Sequence, residues 1–259
     1  GLAAAERPRP HGRLPGRRLA FAPAGARADS VQAMRTALEL ASGTDWDGAL
    51  AVAPAGVGRD VIEWQRLRAG DGRLGNYEDF LTRHPDWPGL PLLREKGEAA
   101  VARSDDPDRV IAWFAGGLPE TGEGAVAHVA ALVATGQVAK AETEAMRAWA
   151  ELSFSSDEED ALLALQPEAV AFVHELRLET LLWDGRLREA ERMLARVPED
   201  LRAVARARIA LQQDAKGVNG LIDAVPKARA GDAGLAHDRF IWRMKRDLYD
   251  EALELILAR

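Results

Sequence analysis

The sequence predicts an all-α chain of irregular, repeated helical hairpins stacked as an α-superhelix, a TPR-like solenoid. Three observations predict it. From Asp29 onward apolar residues recur at helical spacing, and no stretch alternates long enough to read as a strand. A short corner recurs: Thr44 to Ala49, Gly136 to Ala141, Gly185 to Ala190 and Asp247 to Ala252 each place a turn residue five positions before an alanine. A small residue at that point lets two helix backbones approach closely. Finally, Trp64, Trp113, Trp149, Trp183 and Trp242 all fall within or at the ends of predicted helices, where large rings fill the space between hairpins.

Taken in order, residues 1–28 stand apart. They hold six Arg against one Glu, are rich in Pro and Gly, and show no helical period. Arg17-Arg18, then Leu19 to Gly25, then Ala26-Arg27-Ala28 run in the order of an export signal: basic, apolar, small-x-small. A disordered Arg/Pro tail is the alternative. Residues 29–259 form the predicted helical domain. Val61 to Leu67 is helical, so the Gly70-Asp71-Gly72-Arg73-Leu74-Gly75 match to a dinucleotide fingerprint lacks its preceding strand and reads as a turn.

Residues 76–90 are the most distinctive stretch. His84 precedes Pro85 and Trp87 precedes Pro88, so a helix must stop near Arg83. A new one can start at Pro88 or Pro91. Trp87, between the two prolines, reads as a wedge between helix pairs. Gly117 to Gly124 is Gly-rich, but Glu120 and Glu123 would repel a phosphate, so a loop or helix start is expected. Asp157-Glu158-Glu159-Asp160 reads as a solvated first helical turn. Pro167 to Trp183 reads as one continuous helix, with Ala169, Phe172, Val173, Leu176 and Trp183 on one apolar face and Leu178, Leu181 and Leu182 on a second, so packing on both sides is expected. Arg186 to Val197 follows after Asp184-Gly185, and Pro198 limits it. The last helix, from Glu251, has an apolar face for a further repeat to cover, so the chain reads as part of something longer.

Bulk numbers narrow the function. The chain has 259 residues and a net charge of −7, so the part beyond residue 28 carries about −12, which argues against nucleic acid as a partner. It has no cysteine, hence no disulfide framework or thiolate site. No run reaches the length of a membrane span. The five histidines form no i, i+4 pair and no zinc motif, and there is no nucleophile elbow. His174-Glu175 reads as solvated or salt-bridged. No catalytic residue, metal site or cofactor site is expected on this chain.

The pattern resembles one known family, the N-terminal superhelical, U-shaped domain of soluble lytic murein transglycosylases of the alphaproteobacterial type. The resemblance is carried by Asp60 to Trp64 with Leu67, by Tyr77, Phe80-Leu81 and His84-Pro85-Asp86-Trp87-Pro88-Gly89-Leu90, and by Gly97-Glu98. It continues through Val110 to Phe114 with Pro119, Thr121 and Gly122, Leu181-Leu182-Trp183, Ala205 to Leu211, and Gly234-Leu235 with Asp238-Arg239 and Trp242. His84, Pro85, Trp87, Pro88, Glu98, Trp113, Trp183, Arg239 and Trp242 are its motif residues. The resemblance implies a periplasmic protein of cell-wall turnover, whose family cleaves the MurNAc-β-1,4-GlcNAc bond to a 1,6-anhydro product. In the family the catalytic Glu precedes a Ser in a lysozyme-like domain that follows the superhelix. No Glu here is followed by Ser, so that residue cannot be placed on this chain. The implied role is a non-catalytic scaffold that touches the peptidoglycan glycan strand through the superhelix. The alternative is a free-standing TPR-like adaptor of the cell envelope that binds a protein.

Overall fold

A computed structural model of the chain describes residues 24–257, which hold sixteen α-helices and no strand. No helix among them is long and apolar enough to cross a membrane. Of the leader-like segment, residues 1–23 lie outside the described residues, while its end is already helical: α1 (Ala24–Ser42) starts before Asp29, where the helical period was expected to begin. The chain packs as two units, one through Arg66 and one from Leu67. In the first, α1 packs on α2 (Trp46–Val52), and Ala37, Ala41 and Ala49 meet Ile62 of α3 (Val57–Arg68) in a small core.

The second unit runs through α4 (Leu74–Arg83), α5 (Leu90–Val101), α6 (Pro107–Trp113), α7 (Gly122–Ala134) and α8 (Val138–Glu151). It continues with α9 (Ser156–Leu165), α10 (Pro167–Ala171), α11 (His174–Trp183), α12 (Leu187–Met193) and α13 (Glu199–Gln212), and closes with α14 (Val218–Asp223), α15 (Ala233–Met244) and α16 (Tyr249–Leu257). Consecutive helices pair, as in α7 with α8, α11 with α12 and α15 with α16.

The four corners behave as the sequence predicts. Thr44, Gly136, Gly185 and Asp247 all adopt the left-handed conformation, with φ of 63°, 73°, 69° and 58°. In each corner the next residue's amide reaches back to a carbonyl five positions earlier: Asp45 to Leu40, Gln137 to Leu132, Arg186 to Leu181 and Leu248 to Arg243, at 2.8–3.0 Å. That is the Schellman closure, which satisfies the carbonyls a helix end leaves orphaned. Ala49, Ala141, Ala190 and Ala252 are each 0% exposed.

The Gly70 to Gly75 stretch is a turn between helices, as expected. Gly70 has φ 81°, and a Cβ on Gly72 would lie 2.6 Å from the Leu67 side chain and 2.8 Å from the Tyr77 ring. These glycines serve packing, not a phosphate. Likewise α4 stops at Arg83, and α5 begins beside Pro91.

Residues 167–183 correct the sequence reading twice. The helix is not continuous: at Phe172-Val173 the chain tightens to bonds spanning three residues (Phe172 to Ala169, Val173 to Val170), separating α10 from α11. Nor is it packed on both sides: of the first face, Ala169 is buried and Val173 packs on the core, but the rest is uncovered. Leu178, Leu181 and Leu182 lie in the core with Val170, whereas Phe172 and Leu176 are 83% and 56% exposed. Two apolar stripes lie on this segment, and α8, α12 and α13, which pack against it, leave Phe172 and Leu176 of the first uncovered.

Buried charge ties neighbouring helices together. Glu159, expected on a solvated turn, is 4% exposed. It accepts from Arg177 at 2.8 Å and from Arg192 at 2.7 Å, while the rest of that turn forms a capping box through Ser155 and Glu158. His174 is likewise not a surface group. Its Nδ1 accepts the Trp149 indole N–H at 3.0 Å. Because an indole only donates, Nδ1 must be unprotonated and the ring neutral. Burial, then Arg196 and Arg177, hold the His174 pKa below the usual histidine value. The unfolded chain therefore binds the extra proton first, and this contribution to stability is present above the ordinary histidine pKa and lost as pH falls through and below it. Urea midpoints are expected to fall between about pH 7.5 and about pH 5.5, with a shallower fall in His174→Asn, whose amide oxygen can still accept from Trp149. An identical pH slope in the variant would remove His174 from the explanation.

Candidate carbohydrate-binding groove

The clearest exposed aromatic site lies at the end of α11, where it meets α13 and α15. A related but closed arrangement lies earlier in the chain, at the end of α8. There Trp149 of α8 has Arg177 over its ring at 4.5 Å and His174 at 5.7 Å, and it is 0% exposed. The same three residue types recur at Trp183, with Arg208 over the ring at 5.0 Å and His237 at 5.0 Å. Yet Trp183 is 49% exposed. Trp149 is covered by Phe154, whose ring lies 6.0 Å away, and Trp183 lines a groove of about 310 Å³ instead.

The groove is fixed by bonds beneath it. Arg208 is fully buried and donates to Asp238 at 2.8 Å and to both Glu179 oxygens at 3.1 Å. The Trp183 indole N–H donates to Glu179, which locks the ring plane. Across the groove, Trp242 donates to Asp214 at 2.9 Å, and Arg246 stacks over it at 4.2 Å. Each indole thus has its N–H committed and an Arg against it. Gln212 completes the lining. Its amide nitrogen donates to the Leu182 carbonyl at 2.9 Å and to Asp238 at 3.0 Å, two acceptors that set the orientation of the amide. Its carbonyl oxygen makes no hydrogen bond among the described residues, and Gln212 lines the groove, which leaves that oxygen for a ligand donor. Half-exposed His237, 3.3 Å from the second oxygen of Asp238, and Lys245 border the same space. A fixed indole face beside a small set of oriented polar groups suits a sugar ring, which has an apolar C–H face and polar edges.

The other motif residues are scattered. Trp183 and Trp242 share the groove; Arg239 lies half-buried on α15 and does not line it. Trp87 folds back on the end of α4, against Phe80 at 5.6 Å and His84 at 4.8 Å, with Pro85 and Pro88 exposed. Trp113 packs edge-on to Tyr77, and a Cβ on Gly97 would lie 2.6 Å from its ring. Glu98, 2% exposed, accepts from the amides of Glu120 and Thr121 and from the Thr121 hydroxyl at 2.6 Å, so its carboxylate fills the anion site at the start of α7. Burial outweighs these donors and pushes the Glu98 pKa up. Gln212, Asp238 as a linking group, and His237 were not singled out as site residues by the sequence. Only the pairing of α13 with α15 brings them to Trp183.

No known protein family, curated protein or solved structure matches this chain.

Proposed function

We propose that this chain is the non-catalytic, TPR-like superhelical portion of a periplasmic lytic transglycosylase, and that it holds a peptidoglycan glycan strand at the Trp183–Trp242 groove. The observation that carries the reading is the exposed, immobilised Trp183 face beside the unengaged Gln212 carbonyl. An N-acetyl sugar stacks its C–H face on the indole and donates its amide N–H to Gln212. The resemblance around His84 to Leu90 and at Trp183 and Trp242 supports the family, and the recurring corners with their buried alanines support the stacked-hairpin architecture. The glycan bond is cut elsewhere, because no Glu-Ser pair occurs in this sequence.

Co-sedimentation with purified sacculi tests the reading. The chain is expected to bind without clearing a zymogram. Trp183→Ala is expected to weaken binding by about 1–2 kcal/mol, roughly 5- to 30-fold, with unchanged helical circular dichroism. Clearing by the pure chain, or binding indifferent to Trp183, would defeat the proposal. A second reading, a protein-binding adaptor, is favoured by exposed Phe172, at the break between α10 and α11, and exposed Leu176 in the first turn of α11. It predicts loss of a protein partner in Phe172→Ser with sacculus binding intact.

A further inference from the structure

A second cavity, of about 580 Å³, lies between the end of α6 and the α7–α8 hairpin. We propose that it binds a small apolar molecule bearing one carboxylate, with the apolar body against Ile111, Phe114, Leu118 and Leu132 and the carboxylate at Lys140. This is a different site from the Trp183 groove and does not depend on the glycan reading.

The apolar wall comes from two sides. Ile111 lies in the last turn of α6 and Phe114 directly follows it, Leu118 sits on the following loop 58% exposed, and Leu132 rises from α7. The volume is that of a small-molecule site. The charges at the rim decide which kind of molecule. Glu144 borders the cavity, but both of its oxygens are held by Arg147, at 2.6 and 2.9 Å, and Arg147 also donates to the Pro119 carbonyl. The same Arg147 also donates to Glu151 at 3.0 Å, a carboxylate that does not line the cavity, so Glu144 is already engaged. Among the described residues Lys140 hydrogen-bonds to the neutral amide of Gln137, at 2.8 Å, and forms no ion pair. His128 lies in the wall beside Phe114, with its Nδ1 buried and unpartnered. Burial, the largest influence, holds its pKa low, which adds no second cation near neutral pH. The Thr143 hydroxyl donates to the Ala139 carbonyl. An apolar chamber whose lining offers one ammonium, Lys140, while its one carboxylate, Glu144, is engaged by Arg147, complements a monoanion with an apolar body. A phosphate group would call for more donors than one lysine supplies.

Titration of the chain with octanoate, octanol and octylammonium, followed by amide chemical shifts, tests this. Octanoate is expected to bind saturably, and at least about fivefold more tightly than octylammonium, the factor for one unit charge near a solvated partner. Lys140→Glu should reverse that order. Ala139→Trp, which fills the chamber from an exposed position on α8, should abolish binding of all three with unchanged circular dichroism. Trp183→Ala should leave octanoate binding unchanged. No saturable octanoate binding, equal binding of the two charged probes, or indifference to Lys140→Glu or Ala139→Trp would overturn the proposal.

Discussion

Arg177→Met is expected to remove about 3–5 kcal/mol of stability, measured by urea denaturation. Arg177 is completely buried and makes four hydrogen bonds: to the Trp149 and Leu152 carbonyls at 2.6 and 3.0 Å, and to Glu159 and Glu189 at 2.8 and 2.9 Å. Its guanidinium also lies 4.5 Å from the Trp149 ring and 5.1 Å from Phe154. Methionine fills much of the volume but leaves Glu189 without its buried cation and Glu159 with only Arg192. A buried carboxylate stripped of its partner loses far more than the pair contributed, which is why the penalty is large. Lysine is no substitute, since an ammonium cannot span two carbonyls and two carboxylates at once. Adding Glu159→Gln and Glu189→Gln to Arg177→Met should recover part of the loss, because the unpaired charges disappear. Should Arg177→Met alone stay within about 0.5 kcal/mol of the parent, the network is not what joins α8, α9, α11 and α12.

That network marks the limit of what the sequence makes legible. The corners at Thr44, Gly136, Gly185 and Asp247 were readable because their cause is local: a left-handed residue, a Schellman bond and a small residue five positions on. The stop after Arg83 was readable for the same reason, since Pro85 acts on its neighbour. Burial of Glu159 was not, because its partners Arg177 and Arg192 lie eighteen and thirty-three positions away. Packing on both faces of residues 167–183 was expected because periodicity reveals two apolar stripes without saying how much of each neighbouring helices will cover; Phe172 and Leu176 stay exposed. Trp183 shows the same difficulty at the candidate site. Its sequence setting resembles that of a core tryptophan, and Trp149, with the same Arg and His companions, is one. What separates them is a covering residue: Phe154 over one ring and open space over the other. Gln212 carried no signal at all, since its role comes from the two acceptors that orient it.

Gly234→Ala is the second large effect, and its sign runs against helix propensity. In the first turn of α15, Ala ordinarily improves on Gly, and the backbone at Gly234 is not left-handed. A Cβ there would, however, overlap the Arg208 guanidinium. An exposed arginine would swing aside, but Arg208 is 0% exposed and anchored to Asp238 and Glu179 under the Trp183 ring. Displacing it breaks a buried ion pair and removes the support of the groove, so a loss of about 3 kcal/mol is expected, with a shift in tryptophan emission. Gly220→Ala is the internal reference. It lies within α14 with nothing within 4 Å of an added Cβ, and should gain about 0.5–1 kcal/mol. Opposite signs at these two glycines would mean that Gly234 is required for space and not for flexibility. If Gly234→Ala instead stabilised the chain as Gly220→Ala does, Arg208 could not be the fixed support on which the Trp183 face depends.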